Sequence, residues 1–439
     1  MPVQFGTDGI RGIAGVDVTV SLAYRLGRAV ATIFGDVPIF VGFDTRESSP
    51  ELAQAALAGI VDGGATGVNL GVFTTPGVAI IAEQRGGAGI VVSASHNPYE
   101  DNGLKVLGLR GQKLSLEQES ELEEVLARTK APTILPAFEG GVDESAKGEY
   151  LTRLRRSFPS NDFSTLRIVL DCANGAASYF ATELFGSLGA NVETIHASPT
   201  GTNINEACGS THPEDLVEQV LASGADLGLA FDGDADRLVA VDAGGGIRDG
   251  DDLMVLFALD QQERGLLGAH VVVTSMSNLG LHRAFGAADI SLLITDVGDR
   301  NVLMALEKHD LNFGGEQSGH LIFRSQSPTG DGMLTGLMLC DLVARKGALR
   351  ELADDAWKRV PQAIINIPLD EYSGPFVADT YQRLKSEYSL QGSDVRIVSR
   401  PSGTEPVFRV MVESVSEDFV RAFRNALVQI ELPRGPNRS

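Results

Sequence analysis

Asp232, Asp234 and Asp236 alternate with small residues in Phe231-Asp232-Gly233-Asp234-Ala235-Asp236-Arg237. In an extended or looped backbone, that spacing turns three carboxylates toward one point. Three such charges repel unless a cation joins them, and an oxygen-only donor set suits Mg²⁺. Phe231 and the apolar run before it tie the loop to a buried strand end, which favours a ligand site over a solvated acidic turn. A calcium EF-hand loop fails the test. It would carry Gly at its sixth position and Glu at its twelfth, where this chain has Arg237 and Ala243. An aspartyl-nucleophile phosphatase stays open on this loop alone.

Ser95 lies in Ser93-Ala94-Ser95-His96-Asn97-Pro98, directly after another apolar run. No Gly-x-Ser-x-Gly elbow is present, which argues against a hydrolase triad. A loop serine near a cation is suited instead to carry a phosphoryl group. Phosphoserine brings up to two negative charges and three acceptor oxygens, which Mg²⁺ and three aspartates would balance as the group moves. By itself Ser95 reads as an ordinary turn serine, with His96 and Asn97 as ordinary loop polar groups. Its pairing with the acidic loop reverses that reading.

Cationic and polar groups complete the set. Arg400, Ser402, Gly403, Thr404 and Arg409 make a phosphate cradle: the glycine lets backbone approach, the hydroxyls donate and arginine binds phosphate through two N–H groups. A plain surface turn explains this stretch equally well. Arg11, in Phe5-Gly6-Thr7-Asp8-Gly9-Ile10-Arg11-Gly12, points into a cleft or caps a helix. Lys105 is a candidate proton donor or acceptor, since burial beside cations lowers a lysine pKa. Glu316, Ser318 and His320, in a glycine-rich stretch, offer donors and acceptors for sugar hydroxyls. Arg153, Arg155 and Arg156 belong to a solvated helix face.

These residues need strands and helices to place them. Apolar runs at 37–43, 89–92, 166–170, 227–231 and 271–273 read as buried parallel strands. Amphipathic stretches at 21–34, 49–63, 213–223 and 301–309 read as helices between them. The alternation means α/β layers with mostly parallel sheets, and it restarts at Leu166 and near Ala269. After 362–367 the pattern changes: helix at 377–387, strands at 395–399 and 407–413, and a last helix at 416–429, a small α+β domain. Linkers are expected near 139–144, 242–247 and 361–370, and 433–439 reads as a disordered tail. The motifs stand where strands end, which is where open α/β sheets bind ligands.

Composition sets the outer limits. At 439 residues the chain is too long for one core and suggests three or four domains. A net charge of −22 repels nucleic acid and anionic lipid, so neither is an expected partner. Cys172, Cys208 and Cys340 form no Cys-x-x-Cys pair, which argues against structural zinc and disulfides and for a reducing compartment. No signal peptide and no membrane-spanning run is apparent. The expectation is a cytoplasmic enzyme.

Taken in order, these motifs resemble the α-D-phosphohexomutase superfamily over almost the whole chain. Residues 5–12 look like its N-terminal substrate loop and 93–98 like its phosphoserine loop. Residues 232–237 look like its metal loop, 314–320 like its sugar-specificity loop and 400–406 like its phosphate-binding loop. Within it the sequence is most similar to the phosphoglucosamine mutase branch. Gln317 stands where mannose and glucose relatives commonly have Met. Asn203-Ile204-Asn205 with Cys208-Gly209-Ser210, Met276-Ser277-Asn278-Leu279-Gly280, Val297-Gly298-Asp299-Arg300 and Thr329-Gly330-Asp331-Gly332 also fit. Two positions depart: Ala235 replaces a more usual Gly in the metal loop, and Phe43 replaces a basic residue in Gly42-Phe43-Asp44-Thr45-Arg46.

The resemblance implies an α/β fold of three similar α/β/α sandwich domains plus a C-terminal α+β domain around one cleft. The expected boundaries are 1–143, 144–245, 246–364 and 365–439. It implies Mg²⁺ held by Asp232, Asp234, Asp236 and the phosphate on Ser95. Catalysis would involve His96, Lys105, Arg11 and His320, with Lys105 or His320 as the acid/base. Arg237, Glu316, Ser318, Arg400, Ser402, Gly403, Thr404 and Arg409 would bind substrate. The substrate would be a hexosamine phosphate, with glucosamine 1,6-bisphosphate or glucose 1,6-bisphosphate as activator, in supply of amino-sugar and peptidoglycan precursors. A homodimer is compatible with the sequence. The rival readings are a mutase preferring mannose or glucose phosphates, and a phosphosugar-binding sensor without turnover.

Overall fold

The apolar runs form the central strands of four sheets in a computed structural model, which describes residues 6, 9–158, 162–368, 373–401 and 407–428. The first sheet contains β1 (Ile10–Ile13), β2 (Ile39–Phe43), β3 (Gly67–Val72), β4 (Ala88–Val92) and β5 (Asp101–Leu107), in the order β1-β5-β4-β2-β3. The second contains β6 (Arg167–Asp171), β7 (Asn191–Ile195), β8 (Leu227–Phe231), β9 (Leu238–Asp242) and β10 (Ile247–Arg248), in the order β10-β9-β8-β6-β7. The third contains β11 (Val271–Thr274), β12 (Leu292–Thr295), β13 (Phe313–Gly315) and β14 (Leu321–Phe323), in the order β12-β11-β13-β14.

These three sheets share one plan. In each, three parallel strands are followed by an antiparallel return: β3, β2 and β4 then β5; β7, β6 and β8 then β9; β12, β11 and β13 then β14. The chemical loops occupy the same place in all three plans. Residues 93–100 leave β4, 232–237 leave β8 and 316–320 leave β13, each before the antiparallel return strand. The fourth sheet is wholly antiparallel, with β17 (Val407–Ser414) between β15 (Gln362–Pro368) and β16 (Val395–Pro401).

Two expected linkers are parts of sheets. Residues 242–247 are the turn of a hairpin, since β10 pairs with β9. Asp242 holds that turn by accepting from the Gly244 and Gly246 amides at 2.8 and 3.0 Å. Glycine clusters mark tight turns and linkers alike, so composition does not separate the two. Most of 361–370 is β15.

One core runs through the first three units. Phe73, Tyr150 and Phe180 meet with ring centroids 5.0–5.9 Å apart, and the same cluster continues to Phe257, Phe313 and Phe323 of the third unit. The fourth domain has its own core around Val410, Phe419 and Phe423. It meets the third unit through polar contacts: Glu413 accepts from the Leu279 amide at 3.2 Å, and Arg396 Nη1 lies 2.9 Å from His282 Nε2. No helix among the described residues is long and apolar enough to cross a membrane.

The first unit depends on a close helix crossing between α1 (Val20–Phe34) and α2 (Ser49–Asp62). A Cβ on Gly27 would stand 2.0 Å from the Ala56 carbonyl oxygen, and one on Gly59 would stand 2.0 Å from that of Tyr24. Backbone touches backbone on both sides. In an exposed helix, Gly→Ala stabilises by about 1 kcal/mol. Here Gly27→Ala or Gly59→Ala is expected to destabilise the first domain by about 1–3 kcal/mol through overpacking. Native-state hydrogen exchange of α1 amides would register the change, and increased protection would contradict so close a crossing.

Candidate functional site

Ser95 lies in the loop after β4 with φ 54°, the left-handed region that non-glycine residues seldom occupy. It is fully buried, and its Oγ donates to Asp232 Oδ2 at 2.7 Å. That bond joins the first unit to the second. His96 Nδ1 lies 3.3 Å from the same Oγ. Burial, then the charges of Arg237 and Arg11, push the His96 pKa down to about 4, so the ring is neutral near pH 7.

The acidic loop leaves β8 and turns its three side chains inward. Asp232, Asp234 and Asp236 are all buried, and one oxygen from each lies within 4.8 Å of the others. Burial drives the Asp232 pKa up, with the Asp236 and Asp234 charges adding to it. Lys105, which stands opposite Val91 across β4 and β5, reaches in from the first unit. Its Nζ is 2.8 Å from Asp234 Oδ2 and 3.7 Å from Asp236 Oδ2. Thr75 Oγ1 also donates to Asp234 Oδ2, at 2.5 Å. Asp236 Oδ1 is buried with no hydrogen-bond partner. A buried, oxygen-only set with an orphaned acceptor fits a hard divalent cation.

Backbone packing leaves little choice in this loop. A Cβ on Gly233 would stand 2.5 Å from the Ser95 carbonyl oxygen, so the two loops meet only because glycine separates them. Ala235, the departure from the usual glycine, has φ 58°. Alanine bears this left-handed conformation at a cost of about 1–2 kcal/mol. The Ala235 amide donates to Asp232 O at 3.0 Å, and its carbonyl accepts from Gly332 at 2.9 Å, which holds it there.

Beside the acidic loop lies a cleft of about 570 Å³ lined from all three units. Gly9 and Arg11 come from the first, Asp236 and Arg237 from the second, and Gly298, Asp299, Glu316, Gln317, Ser318 and His320 from the third. Arg11 thus faces the cleft rather than capping a helix. Glu316 accepts from the Gly298 amide at 2.8 Å. His320 is almost fully buried, and neither ring nitrogen has a hydrogen-bond partner. Its ring fits because position 330 is glycine, whose Cβ would stand 2.5 Å from His320 Nε2. Arg237 Nε lies 3.9 Å from Asp232 and 3.7 Å from Asp236. A larger cavity, of about 760 Å³, opens between Phe158, Arg264 and Arg324 and holds none of the motif residues.

Arg400 and Arg409 stand opposite each other on β16 and β17, and neither lines the cleft. Ser402, Gly403 and Thr404 lie outside the described residues, as do Phe5, Thr7 and Asp8 of the first loop. Sequence reasoning missed Asp44, Arg46 and Ser93, and read Asn205 only as a mark of resemblance. All four side chains bond in or around the serine loop. The signal was present in Gly42-Phe43-Asp44-Thr45-Arg46, where the departure at Phe43 masked it; Phe43 packs into a second cluster confined to the first unit, with Val41 and Ile90.

Comparison with known proteins agrees with this arrangement. The chain matches the phosphoglucomutase/phosphomannomutase families for alpha/beta/alpha domain I over residues 2–133, domain II over 148–245, domain III over 249–360 and the C-terminal domain over 390–430. It is 44% identical over 442 residues to the phosphoglucosamine mutase of Geobacillus kaustophilus, covering 98% of both chains. It is also 44% identical over 448 residues to that of an Exiguobacterium species, again over 98% of both. A phosphoglucomutase/phosphomannomutase family protein from Burkholderia thailandensis superposes with a TM-score of 0.79 at 26% identity, over 99% of this chain and 100% of the other. The Aspergillus fumigatus N-acetylphosphoglucosamine mutase, solved with GlcNAc-6P and magnesium, shares the fold at 18% identity and a TM-score of 0.65, over 97% and 96%. The chain therefore belongs to the phosphoglucomutase/phosphomannomutase superfamily and, within it, to the phosphoglucosamine mutase family.

Proposed function

We propose that this protein interconverts glucosamine 6-phosphate and glucosamine 1-phosphate through a phosphorylated Ser95 and a glucosamine 1,6-bisphosphate intermediate. The observation that carries this reading is the contact of Ser95 Oγ with Asp232, at the edge of a buried three-carboxylate cluster. Mg²⁺ bound by Asp232, Asp234, Asp236 and the Ser95 phosphate would draw charge from the moving phosphoryl group.

The phosphoryl group passes from Ser95 Oγ to the free hydroxyl of the sugar phosphate. One O–P bond breaks at Ser95 and one forms at the sugar. The hydroxyl proton must leave. His320 lines the cleft with neither ring nitrogen hydrogen-bonded and with Nε2 3.9 Å from Asp299 Oδ2, and it takes that proton in our scheme. Lys105, 2.8 Å from Asp234 and 3.7 Å from Asp236, returns a proton to Ser95 Oγ in this scheme. The bisphosphate then turns end over end, its second phosphate goes to Ser95, and the two proton roles reverse. Arg11 and Arg237 steady the transferred charge from the cleft wall.

Glu316, Gln317 and Ser318 grip the sugar, and the Glu316 carboxylate suits an ammonium at C2. Arg400, Ser402, Gly403, Thr404 and Arg409 hold the phosphate that is not reacting. The separate core of the fourth domain supports a hinge that closes on substrate and opens for reorientation. Glucosamine or glucose 1,6-bisphosphate keeps Ser95 phosphorylated. Such an enzyme works in the cytoplasm and supplies an amino-sugar precursor for cell-wall synthesis.

The deciding assay compares kcat/KM for glucosamine, mannose and glucose phosphates with Mg²⁺ and the matching bisphosphate. A marked preference for the amino sugar is expected, and preference for mannose or glucose would keep the chemistry but replace the substrate. Ser95→Ala is expected to abolish turnover while the chain stays folded by circular dichroism, and mass spectrometry of the wild type should place phosphate on Ser95. Full activity in that variant would end the phosphoserine mechanism. Asp236→Asn is expected to weaken Mg²⁺ binding to the unphosphorylated protein by about tenfold or more, read by calorimetric titration. Unchanged affinity would remove Asp236 from the metal site.

A further inference from the structure

Arg46 is the largest fully buried side chain among the described residues, and its guanidinium lies under the serine loop. Arginine has five side-chain N–H groups, and all five are matched here. Nε donates to Asp44 Oδ2 at 2.8 Å. Nη2 donates to the carbonyls of Ser95 and Asn97 at 3.0 and 2.8 Å. Nη1 donates to the carbonyl of Asp101 at 3.0 Å and to that of Pro98. Three carbonyls of the serine loop and that of the first β5 residue therefore converge on one cation.

Both peptide groups of Ser95 are held. Its amide donates to Ser93 Oγ at 2.9 Å, and Ser93 Oγ donates to Asp44 at 2.6 Å. Its carbonyl accepts from Arg46 and also from Asn205 Nδ2 at 2.9 Å. Asn205 reaches the Asn97 carbonyl as well, at 3.1 Å. Asp44 is itself fully buried and neutralises Arg46, so the assembly carries no net charge.

An isolated loop would not keep this shape. A non-glycine residue at φ 54° costs about 1–2 kcal/mol, and such strain persists only where surrounding contacts over-determine it. Electrostatics adds a second demand. A loop that bears a phosphate must keep the negative ends of its own peptide dipoles from opposing that charge. Gathering four carbonyl oxygens on one buried guanidinium meets both demands.

Resting on the phosphoserine reading above, we propose that Arg46 and Asn205 are positioning residues for phosphoryl transfer, fixing the left-handed Ser95 so that its Oγ stays aligned with the metal loop whether or not it carries phosphate. Neither residue need touch substrate. Lysine in place of Arg46 keeps the charge but has three donors on one atom and cannot span the four carbonyls.

The test uses Arg46→Lys and Asn205→Ala in the full chain. Each protein is phosphorylated with glucose 1,6-bisphosphate, then mixed rapidly with glucosamine 6-phosphate, and loss of phosphoserine is followed in a single turnover. The rate constant is expected to fall about 10–100-fold in Arg46→Lys, the loss typical of a reacting group misplaced by about 1 Å. The burst amplitude should match the wild type, and steady-state KM should stay within about twofold while kcat falls. A purely structural role would reduce the amplitude and leave the rate constant unchanged, which would overturn the proposal. Should Arg46→Lys fail to fold, Asn205→Ala decides, with about a tenfold fall expected from losing two of the loop's bonds and an unchanged rate constant overturning it. A wild type that transfers normally beside unaffected variants sinks this inference alone, whereas a wild type that transfers nothing sinks the proposed function with it.

Discussion

Three carboxylates buried within 4.8 Å of one another are the constraint on which the rest of the structure depends. Their mutual repulsion and desolvation oppose folding unless cationic groups are brought to them. Among the described residues, Arg237 is the one cation that the second unit itself places at this point. Lys105 comes from the first unit and Arg11 approaches on the neighbouring strand. The acidic loop is therefore a place where units must meet, and the Ser95–Asp232 bond forms at that meeting.

The shared plan of the three sheets explains how that convergence is possible. Each unit presents one loop from the same position, after its third parallel strand and before an antiparallel return. Packing the units against one continuous core then directs three equivalent loops toward one cleft. The fourth domain is built differently. Its sheet is antiparallel, its core is its own, and its contact with the third unit is polar. Rigidity among the first three units suits residues that must keep fixed distances. In the proposed reaction, a fourth domain with a core of its own suits closing on a ligand and reopening.

Glycine and alanine record how tightly the loops are pressed together. Gly233 lies against the Ser95 carbonyl, Gly332 against the Arg237 carbonyl and Gly319 against the Leu238 carbonyl. These are backbone-to-backbone contacts that no side chain permits. Ser95 and Ala235, one in each of the facing loops, both take left-handed conformations. The strain lies at the point where the serine and the acidic loop touch, and the surrounding hydrogen bonds hold it in place.

Much of this was legible in the amino-acid order. Val and Ile runs marked the buried strands because a parallel strand covered on both faces needs apolar residues throughout. The strand before the acidic loop, Leu227–Phe231, lies where its apolar residues imply. The alternation of Asp232, Asp234 and Asp236 with small residues pointed to a carboxylate cluster suited to a cation, and the structure buries the three together beside Ser95. Other features belong to tertiary structure alone. The run of three glycines within 242–247 has the same composition in a linker and in a hairpin, and only the pairing of β10 with β9 separates them. His320 is an ordinary loop histidine until Gly330, ten residues away, makes room for its ring. Arg46 entered the sequence reading only as the last residue of Gly42-Phe43-Asp44-Thr45-Arg46. Its role depends on five acceptors, of which four are backbone carbonyls between Ser95 and Asp101. Backbone carbonyls are present at every residue, so no choice of side chain announces which of them will converge. Local sequence determined which groups are able to do chemistry, while long-range packing decided which of those groups meet and what holds them still.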